Sequence, residues 1–216
     1  MSLADVMEEL QLGPNGGLVY CLEYLLSNLD WLEEQLHDFD DDYLMIDCPG
    51  QIELYTHYPI MKDLVNALER IGYRLCIVYL LDSQFMEDTS KFFSGALTAM
   101  SAMVQLELPH INVFSKMDLV ERAESPQVEA RVERFLSVDP SLFLEKQESR
   151  PNLQFSRLNA SLMTLFTEYS VMSFLPLNIK EEDSIDYILS SIEHAMQFGE
   201  DLEPFEAKDG GYGDDD

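Results

Sequence analysis

Basic residues are scarce in this sequence. Its 216 residues include 13 Lys and Arg against 41 Asp and Glu, which gives a formal net charge of −28 at pH 7. A field of that sign repels the phosphates of nucleic acids and of anionic membranes, so it argues against direct binding to either. The partner that such a charge favours is a basic protein surface.

Cysteines are also few. The three of them, Cys21, Cys48 and Cys76, lie far apart and form no Cys-x-x-Cys pair. This spacing argues against a disulfide framework or a zinc site and favours a reducing compartment. No apolar run reaches the ~18 residues that a membrane span needs, and the first residues do not resemble a signal peptide. We therefore expect a soluble cytoplasmic protein without membrane contact.

Short apolar runs alternate with longer helical patterns through most of the chain. The runs expected to form buried parallel strands are residues 43–47, 75–82, 110–115 and 171–177. Helices are expected near 5–10, at 18–36, 58–70 and 86–106, within 123–169, and at 184–198. This alternation predicts an α/β domain whose parallel sheet is flanked by helices.

Two segments depart from this alternation. Residues 121–161 are polar and broken, which indicates a helical insertion ahead of the last strand. Residues 200–216 are acidic and glycine-rich, a composition typical of a disordered tail. Residues 1–199 would then form one domain.

The helical pattern at 18–36 carries a stripe of leucines. They are spaced by alternating steps of four and three residues: Leu18, Leu22, Leu25, Leu29, Leu32 and Leu36. Such a stripe packs either on the sheet of its own chain or on a helix of a partner chain. Packing within the chain is the more common arrangement in α/β proteins, and the sequence alone leaves both open.

Asp47 ends the first predicted strand, and Gly50 and Gln51 follow it in the run Asp-Cys-Pro-Gly-Gln. Ligands of open parallel sheets bind at the carboxyl ends of the strands. A carboxylate there can hold Mg²⁺ through its water shell, a glycine lets a backbone N–H approach a phosphate, and a glutamine can orient an attacking water. A strand that simply closes on a turn is the alternative, because Asp-x-x-Gly alone is a weak signal.

The third predicted strand ends in Ser115, and Lys116 and Asp118 follow it to complete the motif Ser-Lys-x-Asp. The Asp118 carboxylate can accept two hydrogen bonds from guanine N1 and N2, which adenine cannot offer, and the Lys116 stem can pack on the purine face. Two such motifs at strand ends, in this order, favour a guanine-nucleotide site.

The triplet Gly13-Pro14-Asn15, which predicts a turn, precedes both motifs. With this triplet and the run DCPGQIELYTH at 47–57, the chain resembles the GPN-loop GTPases over about residues 3–202. The resemblance implies a P-loop NTPase-like fold, hydrolysis of GTP, and GTP or GDP with Mg²⁺ as ligands.

The resemblance also assigns roles by position. The residues concerned are Asp47 for the metal; Gly50, Ser115, Lys116, Asp118 and Leu175 for the nucleotide; and Gly13, Pro14, Asn15, Gln51 and Glu53 for catalysis. It further implies that the Gly-Pro-Asn loop reaches into the nucleotide site of a partner subunit, where the asparagine orients the attacking water.

The partners that the resemblance implies are a sister GPN-loop GTPase, in a heterodimer, and subunits of RNA polymerase II. The function would be to support assembly and nuclear import of that polymerase. The expected location is the cytoplasm, with shuttling to the nucleus.

No Gly-x-x-x-x-Gly-Lys-Ser/Thr phosphate loop occurs in these residues, since no lysine follows a glycine. The family carries that loop with a first strand ahead of the Gly-Pro-Asn turn, so we expect a chain that lacks this N-terminal segment. A handful of charge-assisted hydrogen bonds at ~1.5–3 kcal/mol each would be missing, which weakens nucleotide binding, and strand edges would be exposed. A non-enzymatic assembly adaptor on the same fold is the alternative.

Overall fold

The computed structural model describes residues 2–39, 43–120, 126–142, 156–168 and 172–198. The helices are α1 (Leu3–Leu10), α2 (Pro14–Leu26), α3 (Leu29–Leu36), α4 (Glu53–Thr56), α5 (Ile60–Ile71), α6 (Thr89–Leu106), α7 (Pro126–Leu136), α8 (Ser156–Glu168) and α9 (Glu182–Met196). The strands are β1 (Ile77–Asp82), β2 (His110–Ser115) and β3 (Phe174–Pro176). Short 3₁₀ helices lie at His37–Phe39, Ser83–Glu87 and Met117–Leu119.

The three strands form a parallel sheet in the order β1-β2-β3. The predicted strand at 110–115 is confirmed residue for residue, whereas the last predicted strand keeps only three of its residues. The α/β prediction is confirmed, and a parallel sheet flanked by helices is consistent with a P-loop NTPase-like fold.

The strand predicted at 43–47 is wrong, because residues 43–50 are irregular. Met45 and Ile46 are 89% and 51% exposed. A strand persists only where a neighbour pairs its backbone N–H and C=O groups, and within the described residues β1 pairs with β2 alone. Asp47 therefore lies in a loop and does not end a strand.

The helix predicted at 18–36 is two helices, and the first begins earlier than expected. Ser27 Oγ donates to the carbonyl oxygen of Glu23 at 2.8 Å, and Asn28 Nδ2 donates to that of Tyr24 at 2.6 Å. Side chains that bond to nearby carbonyls in this way compete with continued helix. At the other end, Pro14 takes the first helical position, where its fixed φ and missing N–H are favourable.

The leucine stripe packs within the chain. The stripe packs against a cluster of buried residues that lie mainly on α4 and α5: Leu54, Met61, Leu64, Val65, Leu68 and Leu106. Of the stripe, Leu18, Leu22, Leu25, Leu32 and Leu36 pack against this cluster. The stripe thus covers helices of its own chain more than the sheet.

The main core lies between the sheet and α6. Phe92 is fully buried, and its ring centroid lies 5.0 Å from that of Phe135 and 6.1 Å from that of Phe114. Gly95 lets α6 approach β1 closely, since an added Cβ would lie 2.9 Å from Leu81 Cδ1. This packing fixes β1 and β2, whose carboxyl ends carry the candidate site.

Within the described ranges, no helix is both long enough and apolar enough to cross a membrane. The division into one domain over 1–199 with an insertion at 121–161 stays a prediction, although α7 and part of α8 fall in the insertion. The tail at 200–216 lies outside the described residues.

Candidate functional site

The carboxyl ends of the strands meet at one edge of the sheet. Asp82 at the end of β1 pairs with Ser115 at the end of β2, and β3 runs along the other side of β2. A backbone hydrogen bond also joins the segments that follow β2 and β3: the Met117 N–H donates to the Leu177 carbonyl oxygen at 3.1 Å. This edge, where open parallel sheets bind ligands, carries the Ser-Lys-x-Asp motif.

Lys116 is held at this edge by both its backbone and its side chain. Its φ is 58°, a left-handed conformation that costs a non-glycine residue about 1–3 kcal/mol and persists only where the surrounding structure fixes it. Ser83, only 3% exposed, donates its hydroxyl to the Lys116 carbonyl oxygen at 2.8 Å. The Lys116 ammonium donates to Asp82 Oδ2 at 2.6 Å, and this hydrogen bond is the main reason that the pKa of Asp82 lies below its usual range.

Asp118 faces a lysine from the loop after β3. Its Oδ2 lies 2.6 Å from Lys180 Nζ, and the aspartate side chain is 15% exposed against 71% for the lysine. The hydrogen bond from Lys180 lowers the pKa of Asp118, so its carboxylate is ionised at neutral pH. An ionised carboxylate can only accept hydrogen bonds, which matches the two N–H donors on the guanine edge.

Ser115 and Leu175 support this edge from within the strands. Ser115 Oγ donates to the carbonyl oxygen of Leu81 in β1 at 3.3 Å, so its hydroxyl makes a structural hydrogen bond between the two strands. Leu175 is the middle residue of β3, where it pairs with Val113. The loop beyond it is what approaches the motif, and Asn178 shapes that loop by accepting the Lys180 N–H at 3.1 Å.

Asn15, Gln51 and Glu53 meet elsewhere, around a cavity of about 160 Å³ between the N-terminal ends of α2 and α4. The other lining residues are Gly16, Leu18, Val19, Leu54 and Tyr58. The predicted water-orienting residues therefore share one location within a single chain, which the sequence motifs did not indicate.

The loop that precedes this cavity is anchored by a tyrosine. The Tyr55 hydroxyl donates to the Pro49 carbonyl oxygen. Burial, and then the neighbouring Cys48, raise the pKa of Tyr55, so the hydroxyl keeps the proton that it donates. Asp47 and Gly50 are exposed, and an added Cβ at Gly50 would meet nothing within 4 Å. The backbone at this glycine is therefore open to a ligand.

Asp47 suits one kind of metal binding. The described residues contain no group of three or more His, Cys, Asp or Glu side chains that could hold a metal ion. Mg²⁺ typically takes one or two carboxylates together with substrate phosphates and keeps several waters. A single exposed carboxylate therefore fits Mg²⁺ that arrives with a nucleotide, and does not fit a metal held by the protein alone.

A larger cavity, of about 470 Å³, adjoins the sheet edge between α7 and α9. Met117, Pro176 and Asn178 line it on the side of the sheet. Four acidic residues also line it: Glu129, Glu133, Glu181 and Asp183. Carboxylates repel phosphates, so a nucleotide at this edge would direct its phosphates away from this cavity.

Comparisons with known proteins agree on the family. A protein-family model described as "Conserved hypothetical ATP binding protein" matches residues 1–198. GPN-loop GTPase 3 of Mycosarcoma maydis is 54% identical over 220 residues, which cover 99% of this chain and 78% of that protein. The chain belongs to the GPN-loop GTPases. GPN-loop GTPase 3 of Saccharomyces cerevisiae is 49% identical over 97% of this chain and 77% of its own length, and that of Dictyostelium discoideum is 46% identical over 95% and 71%.

Membership of the GPN-loop GTPases confirms the resemblance that the Gly-Pro-Asn triplet and the two downstream motifs indicated. Three residues of the sheet edge were missed by the sequence motifs: Asp82, Ser83 and Lys180. A signal for two of them existed, because Asp82 ends, and Ser83 directly follows, a strand that neighbours the Ser-Lys-x-Asp strand. Lys180 follows no motif, and only the pairing of β2 with β3 brings it near Asp118.

Proposed function

We propose that this GPN-loop GTPase chain binds guanine nucleotide with Mg²⁺ at the carboxyl edge of its sheet and takes part in GTP hydrolysis. The observation that carries the proposal is the ionised Asp118, which is presented at the strand ends beside a Lys116 that Ser83 and Asp82 hold in place. This is the arrangement that reading a guanine base requires.

The choice of base follows from the chemistry of Asp118. The matching family description mentions ATP, whereas the relatives are named GTPases. A carboxylate accepts hydrogen bonds from the N1–H and N2–H groups of guanine, while adenine would present the unprotonated N1, a second acceptor, to it. Asp118 therefore favours guanine.

The residues that we propose for metal binding and catalysis lie in the irregular segment 43–50 and around the small cavity. Asp47 would hold Mg²⁺, which neutralises phosphate charge when it is bound. The open backbone at Gly50 would approach the γ-phosphate. Gln51, Glu53 and Asn15 line one cavity and would orient the attacking water.

The proposed setting is a heterodimer with a sister GPN-loop GTPase that supports assembly and nuclear import of RNA polymerase II, in the cytoplasm with shuttling to the nucleus. This part rests on the family resemblance. The net charge of −28 supports a basic protein surface as partner over a nucleic acid.

The 216-residue polypeptide is proposed to hold nucleotide weakly, because its residues include base-reading and water-orienting motifs but no Gly-x-x-x-x-Gly-Lys-Ser/Thr phosphate loop. The same observation favours a second candidate function, a non-enzymatic assembly adaptor that uses the fold to form the dimer.

Co-expression with a sister GPN-loop GTPase separates the two functions. The sister protein would carry an Asp→Asn substitution in its own base-reading motif, so that only this chain can bind GTP. We expect a one-to-one complex by light scattering, and a GTP turnover at saturating GTP that Gln51→Ala lowers by at least about tenfold. Gln84→Ala, at an exposed glutamine outside the cavity, should leave turnover unchanged.

Two results would count against the proposal. Elution of the two proteins as separate species contradicts the heterodimer. A stable complex whose turnover is the same with and without Gln51→Ala favours the adaptor.

A further inference from the structure

Three large aromatic side chains are exposed on the helices α2 and α3. Tyr20 and Tyr24 of α2 are 38% and 50% exposed, and Trp31 of α3 is 54% exposed. Leu18 and Leu22 precede the two tyrosines by two positions and pack against the buried cluster on α4 and α5. Two positions turn an α-helix by about 200°, so the tyrosine side chains point away from that cluster.

Hydrogen bonds connect Trp31 to Tyr24 across the break between the two helices. Asn28 Nδ2 donates to the Tyr24 carbonyl oxygen at 2.6 Å, and the Asn28 carbonyl oxygen accepts the Trp31 N–H at 3.1 Å. Tyr20 lies one helical turn before Tyr24 on the same side of α2. Single exposed aromatic residues are common on protein surfaces, whereas a succession of Tyr and Trp is typical of protein interfaces.

Carboxylates accompany the aromatic residues. Glu23 lies three positions after Tyr20, and Glu34 lies three positions after Trp31, a spacing that makes two residues of a helix neighbours on its surface. Both glutamates are exposed, and within the described residues neither takes part in an ion pair. Each carboxylate is therefore available to a partner beside an aromatic ring.

The charge of this part of the chain has one sign. Lys62 is the first Lys or Arg of the sequence, although Asp and Glu recur throughout the residues before it. A nucleic acid or an anionic membrane is repelled by such a surface, and so is a second copy of a chain with a net charge of −28. The partner that the charge favours is a basic protein.

The aromatic rings make arginine the best match among basic side chains. A guanidinium stacks on the face of Trp or Tyr and pairs with a carboxylate through two parallel hydrogen bonds. A lysine ammonium also pairs with a carboxylate, but it is a point charge without a flat face to lay on a ring.

We propose that Tyr20, Glu23, Tyr24, Trp31 and Glu34 form a docking surface for an arginine-bearing segment of a partner protein. This docking surface includes none of the residues proposed for nucleotide binding or hydrolysis. It gives a location to the basic partner named in the proposed function, and it rests on that part of the proposal alone.

Trp31 allows a direct test, because it is the only tryptophan of the sequence. The probe is the peptide Arg-Gly-Ser-Arg-Gly-Ser-Arg, added to the chain without nucleotide. Its binding is followed by tryptophan fluorescence and, in a second titration, by the anisotropy of a dye on the peptide. We expect both signals to give the same dissociation constant. Replacement of arginine by lysine should weaken binding by about three- to fivefold, and replacement by neutral citrulline should abolish it.

Substitutions separate the docking surface from the general charge of the chain. Glu34→Gln and Tyr24→Leu should each weaken binding of the arginine peptide by about threefold, because one removes a carboxylate and the other an aromatic face. Glu69→Gln on α5 removes the same charge elsewhere, and Tyr187→Leu on α9 removes another exposed ring. Both of these controls should bind the peptide as the wild type does.

Four results would overturn the docking surface. Anisotropy that rises while the Trp31 fluorescence stays constant means that a basic segment binds elsewhere, which leaves the proposed function intact. Equal binding of the arginine and lysine peptides, or equal losses in Glu34→Gln and Glu69→Gln, shows attraction by net charge alone. Trp31 fluorescence that depends on protein concentration without peptide means that a second copy covers the surface. Absence of any peptide binding contradicts the basic partner as well, whereas GTP hydrolysis is decided separately by the turnover of the co-expressed complex.

Discussion

Asp118→Asn should change the preference of the chain from guanine to xanthine nucleotides. The asparagine amide offers one donor and one acceptor, whereas the guanine edge offers two donors. Xanthine keeps the N1–H and replaces the amino group by a carbonyl oxygen, so it matches the amide. With charge-assisted hydrogen bonds at ~1.5–3 kcal/mol each, and 1.4 kcal/mol per tenfold, the affinity for GDP should fall about 100-fold.

The measurement is a titration of ¹⁵N-labelled protein with GDP and with xanthosine diphosphate, followed by NMR chemical shifts, which reach millimolar dissociation constants. Asp63→Asn is the matched control, because Asp63 is an exposed residue of α5 outside the sheet edge. The ratio of the two affinities should reverse for Asp118→Asn and stay unchanged for Asp63→Asn. Retention of wild-type GDP affinity by Asp118→Asn would show that Asp118 does not read the base.

The phosphates of GTP should add little affinity in the 216-residue polypeptide. The contacts proposed for them are the backbone at Gly50 and the Mg²⁺ held by Asp47, and a net charge of −28 repels a polyanion. A phosphate loop adds several charge-assisted hydrogen bonds, which together are worth about 1,000-fold or more in affinity. We therefore expect GTP with Mg²⁺ to bind no more than about tenfold tighter than guanosine.

Paired titrations with guanosine and with GTP give this ratio directly. Repeating the titrations at high salt separates the two causes of weak phosphate binding, which are the repulsion by the net charge and the lack of short-range contacts. Salt screens the repulsion and does not supply the contacts. GTP that binds about 1,000-fold tighter than guanosine would mean that residues of this chain hold the phosphates in a way that no motif of its sequence indicates.

The parts of the fold that the sequence predicted correctly depend on local patterns. The strand His110–Ser115 was predicted residue for residue, because the β-branched and aromatic residues Ile111, Val113 and Phe114 are typical of a strand and its ends are polar. The segment 43–47, which was predicted as a strand, is also rich in apolar residues but has no neighbour to pair with among the described residues. The sequence of a segment does not show whether another strand will lie beside it. The break at Ser27–Asn28 depends on side-chain hydrogen bonds that leucine spacing does not reveal.

The candidate site likewise contains some residues that local sequence motifs predict and others that only the fold brings together. Asp118 and Lys116 were predictable because their residue types and spacing carry the chemistry. The position of Ser83 after a strand is visible in the sequence, but its hydrogen bond to a residue 33 positions away exists only once β1 and β2 pair. The sequence also did not predict that Asn15 and Gln51 line the same cavity, because this depends on how α2 packs beside α4.

Guanine recognition by the sheet edge is tested most directly by adding GDP or ADP to the ¹⁵N-labelled wild-type chain. GDP should shift the backbone amides of residues 115–119 and 177–180, the two segments that carry Asp118 and Lys180. ADP at the same concentration should leave those amides unshifted. Equal shifts with the two nucleotides, or GDP shifts that avoid both segments, would contradict a guanine site at the carboxyl ends of these strands.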